Sequence, residues 1–134
     1  MQKDIDMVES IQRRFTRMIT GMRSLSYEER LDKLGLCTLK ERRRRIDLIQ
    51  TYKTWNNIDA IQGQMFTKVC DSHTLATRHA SKENFVIQKS GLNQRKSFFC
   101  NRVLSDWNSL PSEVQKSRTL EIFKSKLSAL TLRS

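Results

Sequence analysis

The stretch Thr38 to Trp55, TLKERRRRIDLIQTYKTW, constrains the chain most, because it joins a helix start signal, a long apolar stripe and the densest positive charge. Thr38 followed three residues later by Glu41 is the capping-box pattern, in which hydroxyl and carboxylate each satisfy a backbone N–H that the first turn leaves unpaired. At about 100° per residue, Leu39, Ile46, Leu48, Ile49, Tyr52 and Trp55 sweep one broad side, while Arg43, Arg44, Asp47, Thr51 and Thr54 occupy the other. The arginine run is therefore divided. Arg43 and Arg44 point to solvent or to a partner, and Arg42 and Arg45 emerge on the apolar side and extend their stems past it. A run of this kind reads either as a solvated helix face or as a nucleic-acid contact, and by itself it leaves both open.

A chain of 134 residues has the length of one small domain with one modest core. Hydrophobic residues make up 37%, which implies a thin core that borrows surface from a neighbour. The balance of 25 basic against 14 acidic residues gives a net charge of +11, spread along the chain rather than held in one tail. That charge attracts polyanions, which makes RNA, DNA or an acidic membrane surface the natural partners. Cys37, Cys70 and Cys100 are too few and too widely spaced for a disulfide framework and read as reduced thiols. No apolar run reaches the roughly 18 residues of a membrane span. The expectation is a soluble intracellular protein of the nucleus or cytoplasm, with no membrane partner.

Upstream, residues Asp4 to Met22 form the cleanest amphipathic helix, with Met7, Val8, Ile11, Phe15, Met18, Ile19 and Met22 within one arc. Arg13, Arg14 and Arg17 share a face pointing away from the centre of that arc, so that one side can pack while the other meets phosphates. A solvated exterior explains the same face, and a surface-membrane helix is disfavoured because the arc lacks tryptophan. Ser26 with Glu29 is a second capping box, starting a short helix that Gly35 ends after Leu34. Leu31, Leu34, Leu36 and Leu39 straddle the turn and would join the short helix to both longer ones.

From Asn56 to Asn93 the periodicity dissolves, and Phe85 to Ile87 is the one segment that reads as a short strand. Helical period returns from Ser97, with Phe99, Cys100, Val103, Leu104 and Trp107 on one side and Asn101, Arg102, Ser105 and Asp106 off it. Trp107 reads as a core anchor, with base stacking as the rival reading, and Pro111 fixes the bend into Ser112 to Gln115. Thr119 caps a last helix whose Leu120, Phe123, Leu127 and Leu130 form a narrow apolar stripe.

The chemistry-bearing residues exclude more than they offer. Cys70, His73, His79 and Cys100 are the only candidate metal ligands, and they lack the second close pair of a structural zinc site, so neither metal nor other cofactor is expected. Polymerase chemistry needs clustered carboxylates around two metal ions, and here the only adjacent acidic pair is Glu28-Glu29. There is no glycine-rich phosphate loop, no metalloprotease helix and no nucleophile with a base at readable spacing. The chain reads as non-catalytic, with no small-molecule substrate.

Several of these segments together resemble a known family. Leu25-Ser26-Tyr27-Glu28-Glu29-Arg30-Leu31, Leu34-Gly35-Leu36, Leu39, Arg42-Arg43, Asp47-Leu48-Ile49 and Tyr52-Lys53 are similar to the region after the polymerase core in non-LTR (LINE-type, jockey-like) retrotransposon polyproteins. Ile11-Gln12-Arg13-Arg14 with Arg17-Met18-Ile19 resembles that family's segment just upstream, and Trp107-Asn108-Ser109-Leu110-Pro111 with Phe123-Lys124 and Leu127 resembles its C-terminal end. Two departures stand out: Cys37 occupies a position where the family often has proline, and Thr77-Arg78-His79 lacks the glycine that frequently separates arginine from histidine. The resemblance implies the post-palm part of a reverse transcriptase, in the thumb and beyond.

The resulting expectation is a mainly α, small helical domain with a loop-rich middle and room for one short β-hairpin. It would comprise a three-helix basic unit over 1–57, a loop-rich connector over 58–96 and a C-terminal helical segment over 97–134 packing back on the first unit. Arg13, Arg14, Arg17, Arg43 and Arg44 would grip the backbone of RNA, an RNA/DNA hybrid or DNA, with the remainder of the reverse transcriptase as second partner. The alternatives are a helical protein-interaction module, whose arginines only keep it soluble, or a relic gene product without independent activity.

Overall fold

Cap and turn signals punctuate the first part of the chain, and the computed structural model, which describes residues 2–59, 66–67, 84–87, 91 and 98–131, has the Ser26–Glu29 box and the Gly35 stop in full and the Thr38–Glu41 box in its hydroxyl half. The protein is mainly helical, with six helices among the described residues: α1 (Gln2–Met18), α2 (Tyr27–Leu34), α3 (Leu39–Trp55), α4 (Phe99–Asn108), α5 (Ser112–Gln115) and α6 (Leu120–Thr131). Contacts divide the chain into two compact units, Met1–Arg44 and Arg45–Ser134, and the division falls within α3.

In the first unit, α1 stops at Met18, four residues short of the predicted end. Gly21, at φ +79°, permits a tight turn in which the Met22 N–H donates to Ile19 C=O at 3.1 Å. The Ser26–Glu29 capping box is complete: Glu29 N–H donates to Ser26 Oγ at 3.2 Å, and Ser26 N–H donates to Glu29 Oε2 at 2.7 Å. Gly35 closes α2 in the left-handed conformation, with Leu36 N–H donating to Leu31 C=O at 2.8 Å and Gly35 N–H to Asp32 C=O at 3.0 Å. This is the Schellman arrangement, which satisfies carbonyls that the last turn leaves open. At the start of α3, Glu41 N–H donates to Thr38 Oγ1 at 3.2 Å, and Leu39 N–H donates instead to the Glu9 carboxylate of α1 at 2.9 Å. An acidic side chain from another helix thus completes the cap.

The second unit is organised by aromatic rings. Tyr52 stacks on Phe123 at 4.4 Å, Phe123 on Trp107 at 5.9 Å, and Trp107 meets Phe85 at 5.6 Å. Phe85 continues to Trp55 at 5.1 Å and to Phe66 at 5.0 Å. Leu48, Val103, Leu104, Val114 and Leu127 fill the space around this chain of rings. Trp107 is buried among them, so the core-anchor reading holds and no face of its ring is open to a base. Pro111 precedes α5, and Thr119 caps α6 by accepting the Ile122 N–H at 3.3 Å.

Sequence expectations about helix faces fail here where hydrogen bonding and ion pairing recruit polar residues into a face the apolar pattern did not claim. On α3, Thr51 and Thr54 are buried and Ile46 is 56% exposed, the reverse of the assignment from periodicity. The Thr51 hydroxyl donates to Asp47 C=O at 2.9 Å, satisfying its own polar group within the helix. Asp47 and Arg102, both expected to face outward, form a bidentate pair with both N–O distances at 2.8 Å. The short strand at Phe85 also does not form among the described residues. Phe85 makes an isolated bridge, Val86 N–H donates to Thr67 C=O at 2.8 Å, and the Asn108 side chain supplies the remaining backbone partners of Phe85.

Candidate nucleic-acid interface

The largest departure from the sequence pattern lies on α1, and it decides what its arginines face. Its apolar arc was expected to pack, yet Met7, Val8, Ile11, Phe15 and Met18 are between 49% and 72% exposed. The helix docks through its polar side instead. Tyr27 of α2 donates its hydroxyl to Glu9 Oε1, and Gln12 Nε2 donates to the Tyr27 hydroxyl oxygen at 3.1 Å and to Cys37 C=O at 3.0 Å. Arg30, buried on α2, donates from Nε to Thr16 Oγ1 at 3.3 Å and from a terminal nitrogen to Leu25 C=O. Glu9, Gln12 and Thr16 lie on one side of α1, roughly 110° from the centre of the apolar arc at 100° per residue. Directional bonds outcompeted apolar burial because α2 presents a phenol and a guanidinium, which cannot be buried without partners.

This arrangement sorts the predicted phosphate contacts. Arg13 places its guanidinium carbon 4.7 Å from the centroid of the Tyr27 ring, on the side of that ring's network, and is partly engaged there. Burial, followed by the bond to Glu9, pushes the Tyr27 phenol above its ordinary value. Arg14 and Arg17 are exposed, sit three residues apart on α1, and make no ion pair among the described residues. Arg44 is exposed on α3. Arg43 is exposed and lines a groove of about 340 Å³ with Asp4, Ile5, Val8, Leu39 and Lys40. A neighbouring groove of about 240 Å³ shares Ile5 and Lys40 and reaches Glu9, Arg13 and Tyr27.

Lys40 therefore joins Arg43 at the same groove, a placement that the sequence pattern does not reveal because Lys40 lies outside the arginine run that begins two residues later. Arg45, by contrast, is occupied, donating to Ser128 Oγ at 2.7 Å. Among the described residues no group of three or more His, Cys, Asp or Glu could hold a metal ion, and Cys70, His73 and His79 lie outside them. None of the described helices is long and apolar enough to cross a membrane. No protein-family model, curated protein or solved structure matches the chain.

Proposed function

We propose that the chain is a non-catalytic, nucleic-acid-binding part of a non-LTR retrotransposon reverse transcriptase, positioning template RNA or an RNA/DNA hybrid by its phosphates. The observation that carries this reading is the pair Arg14 and Arg17, exposed and without a carboxylate among the described residues, on a chain of net charge +11. Unneutralised guanidinium groups hold condensed counterions' place on a phosphate backbone, and releasing those counterions drives binding. Arg13 and the Arg43–Lys40 groove add positive charge in the same unit. The family resemblance supplies the polymerase context, and a reverse-transcriptase palm encoded in frame upstream would support it.

The test is anisotropy of labelled single-stranded RNA, duplex DNA and RNA/DNA hybrid, titrated at several salt concentrations. Wild type should bind with steep salt dependence, and Arg14→Ala with Arg17→Ala should flatten the slope by about 1.4 to 1.8, the contribution of two phosphates. The double variant is cleaner than one including Arg13, whose guanidinium also stacks on Tyr27. A folded wild type that fails to bind at low salt, or a variant with unchanged slope, would sink the reading. The exposed arc of α1 favours a second reading, a protein-interaction module, which competes with phosphate binding wherever the partner also takes up Arg14 and Arg17.

A further inference from the structure

We infer that the exposed arc of α1 is a docking surface for an acidic amphipathic helix of another polypeptide. Val8, Ile11, Phe15 and Met18 follow the alternating three- and four-residue spacing of a helix-pairing seam, with Met7 beside them, and all five are exposed. Nothing about the internal packing of the first unit requires them, because α1 is already held by Glu9, Gln12 and Thr16. A run of large apolar side chains left in water over about three turns marks an interaction site more than a scattering of single residues would.

The charges along the two edges of the seam choose the occupant. Lys3, Arg14 and Arg17 lie along one edge, by their positions on the helix, with Asp6 in line with Arg17 as the acidic residue of that side, and all four are exposed. The opposite edge opens at Val8 into the groove that carries Lys40 and Arg43. Asp4 is the acidic exception in that groove. A second copy of the chain would bring the same cationic borders together, adding like-charge repulsion to a net charge of +11 on each molecule. Nucleic acid would satisfy the borders and leave the methionine, isoleucine and phenylalanine side chains wet. A helix with an apolar seam between rows of glutamate or aspartate answers both features at once, burying the seam and pairing the borders.

The probe is a synthetic amphipathic peptide with leucine at its heptad a and d positions and glutamate at e and g, which keeps it from pairing with itself. A lysine-flanked twin and a scrambled peptide of the glutamate composition serve as controls, each titrated by anisotropy against the full chain. The glutamate peptide should bind at least tenfold more tightly than either control. Phe15→Ser and Ile11→Ser should weaken it at least tenfold while leaving nucleic-acid affinity and the helical circular dichroism unchanged. Arg14→Glu with Arg17→Glu should invert the preference toward the lysine twin, a gain that an unfolded variant could not show. Equal binding of the scrambled peptide, or indifference to both apolar substitutions, would overturn the proposal. So would a folded chain that ignores the glutamate peptide, whether it instead forms a dimer sensitive to Phe15→Ser or binds anionic vesicles through that face.

Discussion

Asn108 offers the sharpest test of how the second unit is held, because its side-chain amide does the work of a missing strand. Its Oδ1 accepts the Phe85 N–H and its Nδ2 donates to the Phe85 C=O, both at 2.9 Å, while Phe85 itself is 2% exposed. Asn108→Ala removes two hydrogen bonds, each worth about 1 kcal/mol net, and leaves a buried donor and acceptor without partners. The expected loss is about 2–4 kcal/mol, a large share of the roughly 5–15 kcal/mol that stabilises a typical domain. With a urea dependence of about 1–3 kcal/mol per molar, the unfolding midpoint should fall by about 1 M or more. Asn108→Asp separates the two bonds, since an ionised carboxylate still accepts from Phe85 N–H but cannot donate to its carbonyl. The introduced carboxyl regains a donor when protonated, so burial and that bond raise its folded pKa above the ordinary value of about 4. Its stabilising contribution is then present below about pH 4 and lost as pH rises through the folded value, so the deficit against wild type should shrink in acid. Ser109→Ala is the control, removing an exposed bond from Ser109 Oγ to Asp106 C=O. If Asn108→Ala moves the midpoint no further than Ser109→Ala does, the bracket is not what holds Phe85.

Three other outcomes follow from local geometry. Both tyrosines of the chain, Tyr27 and Tyr52, are raised above their ordinary pKa near 10, by burial first and then by Glu9 and Glu121 respectively. Their contribution to stability is therefore present below about pH 10 and lost as pH rises through the folded values, so absorbance at alkaline pH should show phenolate appearing late and together with unfolding. Gly35→Ala should cost about 1 kcal/mol in thermal or urea unfolding although open space surrounds the site, because φ is +63°, and Gly35→Asn should cost less. Phe123→Ala should cost about 3–5 kcal/mol, whereas Phe15→Ala should stay within about 0.5 kcal/mol, and equal losses would contradict the exposure of Phe15.

The elements that the sequence makes legible are those specified by neighbours in the chain. Ser26 with Glu29, Gly35, Pro111 and Thr119 each act within a few residues, and the structure has them where the pattern puts them. The apolar stripe of α6 was equally readable, because Phe123 and Leu127 have no polar competitors on that face. Faces were misread where a distant polar partner intervened. Nothing near Glu9 indicates that it will take up the phenol of Tyr27 and the N–H of Leu39, and once it does, α1 is turned so that its apolar arc looks outward. Asp47 meets Arg102 across 55 residues of sequence, a pairing that periodicity along either helix cannot contain. The candidate arginines were legible as charge, but which of them is engaged depended on Tyr27 for Arg13 and on Ser128 for Arg45.

The chain of rings in the second unit has an optical consequence. Both tryptophans, Trp55 and Trp107, fall within Arg45–Ser134, and each packs against Phe85. Their emission therefore watches that unit alone, while Met1–Arg44 has Tyr27 as its sole native chromophore of that kind. Excited at tryptophan wavelengths, the protein reports the melting of one unit and is blind to the other, whereas helical circular dichroism sums over both. Superimposable curves from the two signals would mean that the units melt as a single cooperative body. Separated curves would assign each step without any added label.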